Sequence, residues 1–160
     1  MSRMDVQFRR LVRGDTRDAV ALFETMSEVF EEQRSPVSPA YADRLLASAE
    51  FYAIAAMADG RIVGGLTAHV IPMTRNESRE LFIYDLAVVP DWRRKGVGSG
   101  LIGKARELAA REGIDVAFVM ADGDDDDAIE FYGSTPATAS RAVVFTFDEL
   151  QSRQVRHETG

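Results

Sequence analysis

Arg93-Arg94-Lys95-Gly96-Val97-Gly98 packs three cations and two glycines into one turn, and Ser99 opens a helix-like pattern that runs to about Glu112. Glycine lets a backbone come close to a phosphate, and the first N–H groups of a helix point outward at it. With cations beside them, such a turn is an anion site. The preceding stretch, Phe82 to Val89, is mostly apolar, as suits a strand covered on both faces, and Pro90 closes it by removing a backbone donor. Asp85 is the anomaly in that strand. A carboxylate amid Ile83, Leu86, Ala87 and Val88 is costly unless it is paired or faces a cleft. It is therefore a candidate base or substrate anchor; the alternative is a place on an exposed side of the strand. A second acidic feature, Asp122-Gly123-Asp124-Asp125-Asp126-Asp127, precedes a short helix-like run. Acids there complement a helix dipole or gather a cation.

Three other motifs overlap these stretches and fail on context. Gly98-Ser99-Gly100-Leu101-Ile102-Gly103 matches GxGxxG, with Asp122 about 20 residues on, but Pro90 to Val97 separate it from the strand and Gly103 falls inside the helix. Gly98 to Lys104 matches GxxxxGK, yet Ala105 stands where a magnesium-binding hydroxyl belongs. Counted from Asp122 as a calcium loop, the sixth residue is Asp127 rather than glycine and the twelfth is Gly133 rather than glutamate.

The elements that must position these residues read as follows. Val6 to Leu11 alternates as a first strand. Asp15 or Thr16 caps a helix to about Glu31, with Ala19, Leu22, Phe23, Met26 and Phe30 as its core stripe. Glu24, Glu28, Glu31 and Glu32 fall toward the other side or the far end, as a solvated face. Ser38 caps a helix over Ala40 to Ala49, with Pro39 at its first position. Phe51 to Ala58 and Ile62 to Ile71 form a hairpin about Asp59-Gly60. Glu80 to Val89 is the central strand. Gly113 ends the helix after it, and Asp115 to Met120 is the next strand. A short helix over Ala128 to Tyr132, an irregular linker over Gly133 to Arg141 and a last strand over Ala142 to Phe147 complete the chain. The order predicts an α/β layer, a mixed sheet with an antiparallel first half, as one domain over residues 1–150 with a fraying tail at 151–160.

Composition narrows the partners. A net charge of −7 disfavours nucleic acid and anionic membrane and favours a cationic substrate, although it also serves solubility. No cysteine is present, so disulfides and thiolate metal sites are excluded. No signal-like or membrane-spanning stretch is read, and a cytoplasmic setting is expected.

The combination of Leu86-Ala87-Val88, Pro90, Arg93, Gly96 and Gly98, in the order strand, turn, helix, resembles the acetyl-coenzyme A signature of the GNAT acetyltransferase superfamily. The resemblance implies the GNAT fold, with acetyl-CoA as co-substrate and no metal. Ala87 and Val88 would pair the pantetheine, and Arg93, Arg94, Lys95, Gly96, Val97, Gly98 and Ser99 would hold the pyrophosphate. Ala128-Ile129-Glu130-Phe131-Tyr132 is similar to the A-x-x-F-Y helix of these enzymes, which makes Tyr132 the acid that protonates the departing sulfur. Without a cysteine to carry the acyl group, direct attack in a ternary complex remains. Histidine is a weak base candidate on this reading: His157 lies in the tail, and His69 reads as a structural strand residue. Ile83-Tyr84-Asp85-Leu86-Ala87-Val88 with Ala121-Asp122 and Asp125-Asp126 resembles, more narrowly, the class I aminoglycoside 3-N-acetyltransferases. That likeness implies a homodimer and an aminoglycoside pocket lined by Tyr84, Asp85, Asp122, Asp125 and Asp126, with resistance to the antibiotic as the outcome. Gly133 to Ala137 departs from that family's pattern. An enzyme for another amine (a polyamine or a protein N-terminus) and a non-catalytic acetyl-CoA sensor are the alternatives.

Overall fold

The computed structural model describes residues 5–31 and 35–148. They form two compact units, one ending at Ala121 and the other beginning at Asp122. The predicted tail at 151–160 lies outside the described residues.

The first unit is a five-stranded sheet covered on both faces. Strands β1 (Gln7–Leu11), β2 (Phe51–Ala58), β3 (Arg61–Pro72), β4 (Arg79–Val88) and β5 (Val116–Val119) lie side by side in chain order. The first four pair antiparallel, and β4 pairs β5 in parallel. Asp59 (φ 49°) and Gly60 (φ 73°) both take positive φ, the twist that a two-residue hairpin turn requires. Helix α1 (Thr16–Val29) buries Ala19, Leu22 and Met26, spaced for one helical stripe, against Leu11, Phe51, Ala53, Ala55 and Ala87. Helix α3 (Val97–Arg111) buries Val97, Leu101, Ala105 and Ala109 against Tyr52, Ile54, Leu66 and Ile83 on the other face. With a helix on each side, β2 is buried nearly throughout, which explains its unbroken apolar sequence. Helix α2 (Pro39–Leu46) starts as expected, with the Ser38 hydroxyl accepting from the Tyr41 N–H at 3.2 Å. The Thr16 hydroxyl donates to Asp43 and ties α1 to α2. Asp15 occupies the cap position of α1, but its carboxylate turns back to the Val12 N–H (2.9 Å) and the Arg9 guanidinium (3.0 Å), and these bonds hold its pKa below the usual carboxylate value.

One irregularity in the sheet shapes the site. Thr67 of β3 lies opposite Asp85, but the next residue, Ala68, lies opposite Ile83, so Tyr84 is an extra residue in β4. Such a bulge interrupts the alternation of side chains. Here it brings Tyr84 and Asp85 onto the same face.

In the second unit, helix α4 (Asp126–Gly133) is longer than expected, and Asp125 caps it by accepting from the Ala128 N–H at 3.0 Å. The predicted last strand is absent: residues 142–147 carry no strand. Val143, Val144, Phe145 and Phe147 have the β-branched and aromatic composition of a strand, but they remain 68–81% exposed. Strand preference is a preference for packing on a pleated surface, and it forms nothing without a ladder. Among the described residues, no helix is long and apolar enough to cross a membrane.

Tyr52 is fully buried on β2, with the Arg10 guanidinium 3.8 Å from its ring centroid. Its hydroxyl has no hydrogen-bond partner among the described residues, and burial, followed by the neighbouring Glu112 carboxylate, pushes its pKa up to about 12. An unfolded tyrosine ionises near 10. Between the two values the unfolded chain releases a proton that the folded chain keeps, so stability falls as pH rises through that window, by at most about 1.4 kcal/mol per pH unit. Urea denaturation midpoints measured from pH 9 to 12 should show this alkaline decline in the parent and a flatter profile in Tyr52→Phe.

Candidate active site

The site begins where β4 and β5 part. β3 borders β4 as far as Val88, whereas β5 accompanies it only from Glu80 to Ile83, since Val119, opposite Ile83, is its last residue. Beyond Ile83, among the described residues, no strand pairs the β5-side edge of β4. The Val89 N–H donates to Val63 of β3 at 3.0 Å, so the alternation of a strand turns the Val88 backbone to the open edge. The Val88 carbonyl accepts there from Arg93 Nε at 3.2 Å. Ala87 is buried beside this edge, against α1.

The basic turn follows directly. Pro90–Trp92 make one 3-10 turn, Arg93 is extended, and Arg94 (φ 58°) and Gly96 (φ 81°) take left-handed backbone before α3 begins at Val97. Arg93, Arg94 and Lys95 are exposed, with Lys95 Nζ 5.3 Å from the Trp92 ring centroid. The first intrahelical bond runs from the Gly100 N–H to the Gly96 carbonyl at 2.9 Å. The N–H groups of Val97, Gly98 and Ser99 therefore have no helical carbonyl behind them, which is the arrangement that receives a phosphate. A Cβ at Gly96 would meet nothing within 4 Å, so the approach to these donors is open. A Cβ at Gly100 would come within 2.1 Å of the Phe8 ring: this glycine, counted above in a nucleotide motif, serves close packing of α3 on the sheet. The turn fits a pyrophosphate by its donors and its charge.

On the opposite face of the sheet, α1, α2 and strands β2 to β4 enclose a cavity of about 510 Å³. Tyr84 and Asp85 enter it from the bulge, Glu24 and Glu28 from α1, Glu31 from the loop after it, and His69 from β3. Phe51 and His69 line it, and they begin a row of rings: Phe51, His69, Phe82 and Phe118 are successive cross-strand partners from β2 to β5. The His69 ring lies 5.3 Å from Phe51 and 6.0 Å, edge-on, from Tyr84, and Phe82 stacks on Phe118 at 4.8 Å. A carboxylate-rimmed aromatic cavity suits a ring-bearing cation.

The structure thus brings Tyr84 and Asp85 together in one cavity and Arg93 to Ser99 together in one turn. Asp122, Asp125, Asp126 and Tyr132 belong to the second unit. There the Asp122 carbonyl accepts from the Asp125 N–H at 3.0 Å, Asp125 caps α4, Asp126 is in its first turn, and Tyr132 packs on Phe131 at 5.0 Å between ring centroids. Three cavity acids were expected as a solvated face; Glu24, Glu28 and Glu31 are exposed and also line the cavity. His69, set aside above, is in the cavity as well. The Asp59-Gly60 turn alone would set Phe51 against Ala68; the ladder shifts by one residue between Met57 and Ala56 and so brings His69 opposite Phe51, which no local sequence signal announces. Among the described residues no cluster of His, Asp and Glu is placed to hold a metal ion.

A central strand paired on one side only beyond Ile83, followed by a basic turn at the start of a helix, is the geometry that comparison with known proteins can now be set beside. Residues 18–134 match the acetyltransferase (GNAT) family, and the chain belongs to it; the family uses acetyl-CoA. Among solved structures, the aminoglycoside acetyltransferase meta-AAC0020 from an uncultured soil metagenomic sample, in complex with sisomicin, is 34% identical over 89% of this chain and 94% of its own, with a TM-score of 0.84. The aminoglycoside acetyltransferase HMB0005, also from an uncultured soil metagenomic sample, is 33% identical over 90% of this chain and 98% of its own, with a TM-score of 0.85. The AAC(6')-Iy complex with a bisubstrate analogue, CoA-S-monomethyl-acetylneamine, shares the fold at 16% identity, covering 89% of this chain and 97% of its own with a TM-score of 0.77. No curated protein matches the chain significantly.

Gly96→Asp should lower acetyl-CoA affinity by at least 100-fold in calorimetry, because it sets a carboxylate at the phosphate donors. The left-handed backbone adds a stability cost of about 1 kcal/mol, which thermal unfolding would read. Gly96→Ala carries that strain without the charge and should keep most of the affinity.

Proposed function

We propose that this GNAT enzyme transfers the acetyl group of acetyl-CoA to an amine of an aminoglycoside, the 3-amino group, by direct attack in a ternary complex. The observation that carries the reading is the bulge at Tyr84. It puts Tyr84 and Asp85 into an acid-rimmed cavity at the point where β5 leaves β4, beside the edge that would hold the pantetheine. Similarity to two aminoglycoside acetyltransferases at 33–34% identity supports the acceptor class.

In this reading the Val97, Gly98 and Ser99 N–H groups, with Arg93, Arg94 and Lys95, hold the pyrophosphate, and Ala87 and Val88 lie along the pantetheine. Acetyl-CoA supplies an activated thioester. Asp85 draws in the acceptor ammonium as anchor or base, and Tyr132 supplies a proton to the departing sulfur. Asp122, Asp125 and Asp126 add negative charge for the further amines of a polycation.

Release of free coenzyme A over a panel of amines tests the acceptor class, with aminoglycosides expected to lead and spermidine or peptide N-termini to lag. Two substitutions test the parts. Tyr132→Phe should lower kcat by about 100-fold with acetyl-CoA affinity kept, as expected when a general acid is lost; unchanged turnover would remove Tyr132 from the chemistry. Asp125→Asn with Asp126→Asn should raise KM for sisomicin about fivefold at low salt, two exposed charge pairs at about 0.5 kcal/mol each, and leave KM for acetyl-CoA unchanged. Asparagine preserves the cap on α4. The difference should shrink above about 0.1 M salt, where screening acts over about 10 Å.

A further inference from the structure

We infer that His69 accepts the proton of the acceptor amine and leaves Asp85 as the anchor that holds the ammonium. The inference rests on the cavity of the first unit being the acceptor site. An amine that reaches the enzyme protonated must lose a proton before its lone pair can attack. The best acceptor for that proton titrates near the working pH, and histidine is the side chain whose ordinary titration lies there.

The geometry places His69 for this role. It stands on β3, exposed to the cavity, with its ring between Phe51 at 5.3 Å and Tyr84 at 6.0 Å. Both contacts are with rings, so they orient the imidazole without engaging its nitrogens. Directly across the ladder is Phe82, one turn of the pleat before the Tyr84 bulge. The charged and titratable groups that line the cavity with it are Glu24 and Glu28 of α1, Glu31 of the following loop, Tyr41 of α2, and Tyr84 and Asp85 of β4; β2 presents the Phe51 ring. The carboxylates attract the ammonium and His69 relieves it of its proton. The step balances. The ammonium N–H bond breaks and its proton goes to a ring nitrogen. The freed lone pair forms the new C–N bond, the C–S bond breaks with its electron pair going to the sulfur, and the second proton, shed by the nitrogen once it is bonded to carbon, makes good the proton that the sulfur takes. The imidazolium returns its proton to water.

The test is the pH dependence of kcat for sisomicin in the parent and in His69→Gln. A loss of about 100-fold is expected near pH 7, narrowing above pH 9 as the amine arrives already deprotonated. His69→Ala should recover part of its rate with added imidazole, and this second variant keeps the test open if glutamine disturbs folding, which acetyl-CoA calorimetry would reveal. A loss of equal size at every pH, a change in KM alone, or an absence of imidazole rescue would overturn the proton role and leave the aminoglycoside reading intact. Failure of the parent to turn over sisomicin, with coenzyme A released to another amine, would overturn the aminoglycoside reading instead; the same profile on that amine then decides the role of His69.

Discussion

The structure depends on a ladder that stops early. β4 is held by β3 along one edge and by β5 along only the first part of the other. Every backbone donor and acceptor left inside a protein needs a partner, so an edge opened beside a covered core is a place where a ligand completes the sheet. The strand is anchored between two neighbours from Glu80 to Ile83 and held by one beyond it. The bulge at Tyr84 begins where the second neighbour ends. A regular strand would have sent Tyr84 and Asp85 to opposite faces, one of them into the layer under α3. The extra residue instead gives the cavity both an aromatic ring and a carboxylate.

Charge is divided in the same way. The chain carries net charge −7, yet three of its cations sit in consecutive positions in the turn before α3, next to the unpaired N–H groups of the helix. The acids of the first unit's cavity enter from α1, its following loop and β4 on the other face. An anionic cofactor and a cationic acceptor would therefore each meet opposite charge on its own side of the sheet. Mixing the two sets would produce ion pairs within the protein and weaken the field at both sites.

Much of this was legible in sequence because it is local. The turn, the strand before it and the helix after it are read from a contiguous stretch, and Ser38-Pro39 and Asp59-Gly60 declare a cap and a hairpin in a few residues. The helix itself starts at Val97, two residues before the serine that suggested it, because the left-handed Gly96 is its true entrance. The bulge was not legible. An extra residue in an apolar run leaves no periodic trace, and Asp85 looked equally suited to a cleft or an exposed edge. The aromatic row was hidden for another reason: Phe51, His69, Phe82 and Phe118 meet only through the register of three separate ladders. His69 taken alone in a strand carries no signal. The opposite error arose at Val143 to Phe147, where residue types suited to a strand stood without one.

Two adjacent glycines join the halves of the site. Gly64 and Gly65 lie opposite Val88 and Ala87 on β3, and as neighbours in a strand they open to opposite faces. A Cβ at Gly64 would come within 2.9 Å of the Ala87 carbonyl oxygen and 3.1 Å of Val97, the first residue of α3. A Cβ at Gly65 would come within 2.2 Å of Leu22 and 3.0 Å of Met26, in the helix that carries Glu24 and Glu28. The first glycine sets how closely α3 approaches β4. The second sets how closely the acid-bearing wall approaches the cavity floor. A side chain at either position would push one helix outward, and the interior is too closely packed to absorb that shift without moving what the helix carries. The distance between the basic turn and the acid-bearing wall is thus fixed from the middle of the sheet, by the absence of two side chains on a strand that contributes only Thr67 and His69 to the cavity itself.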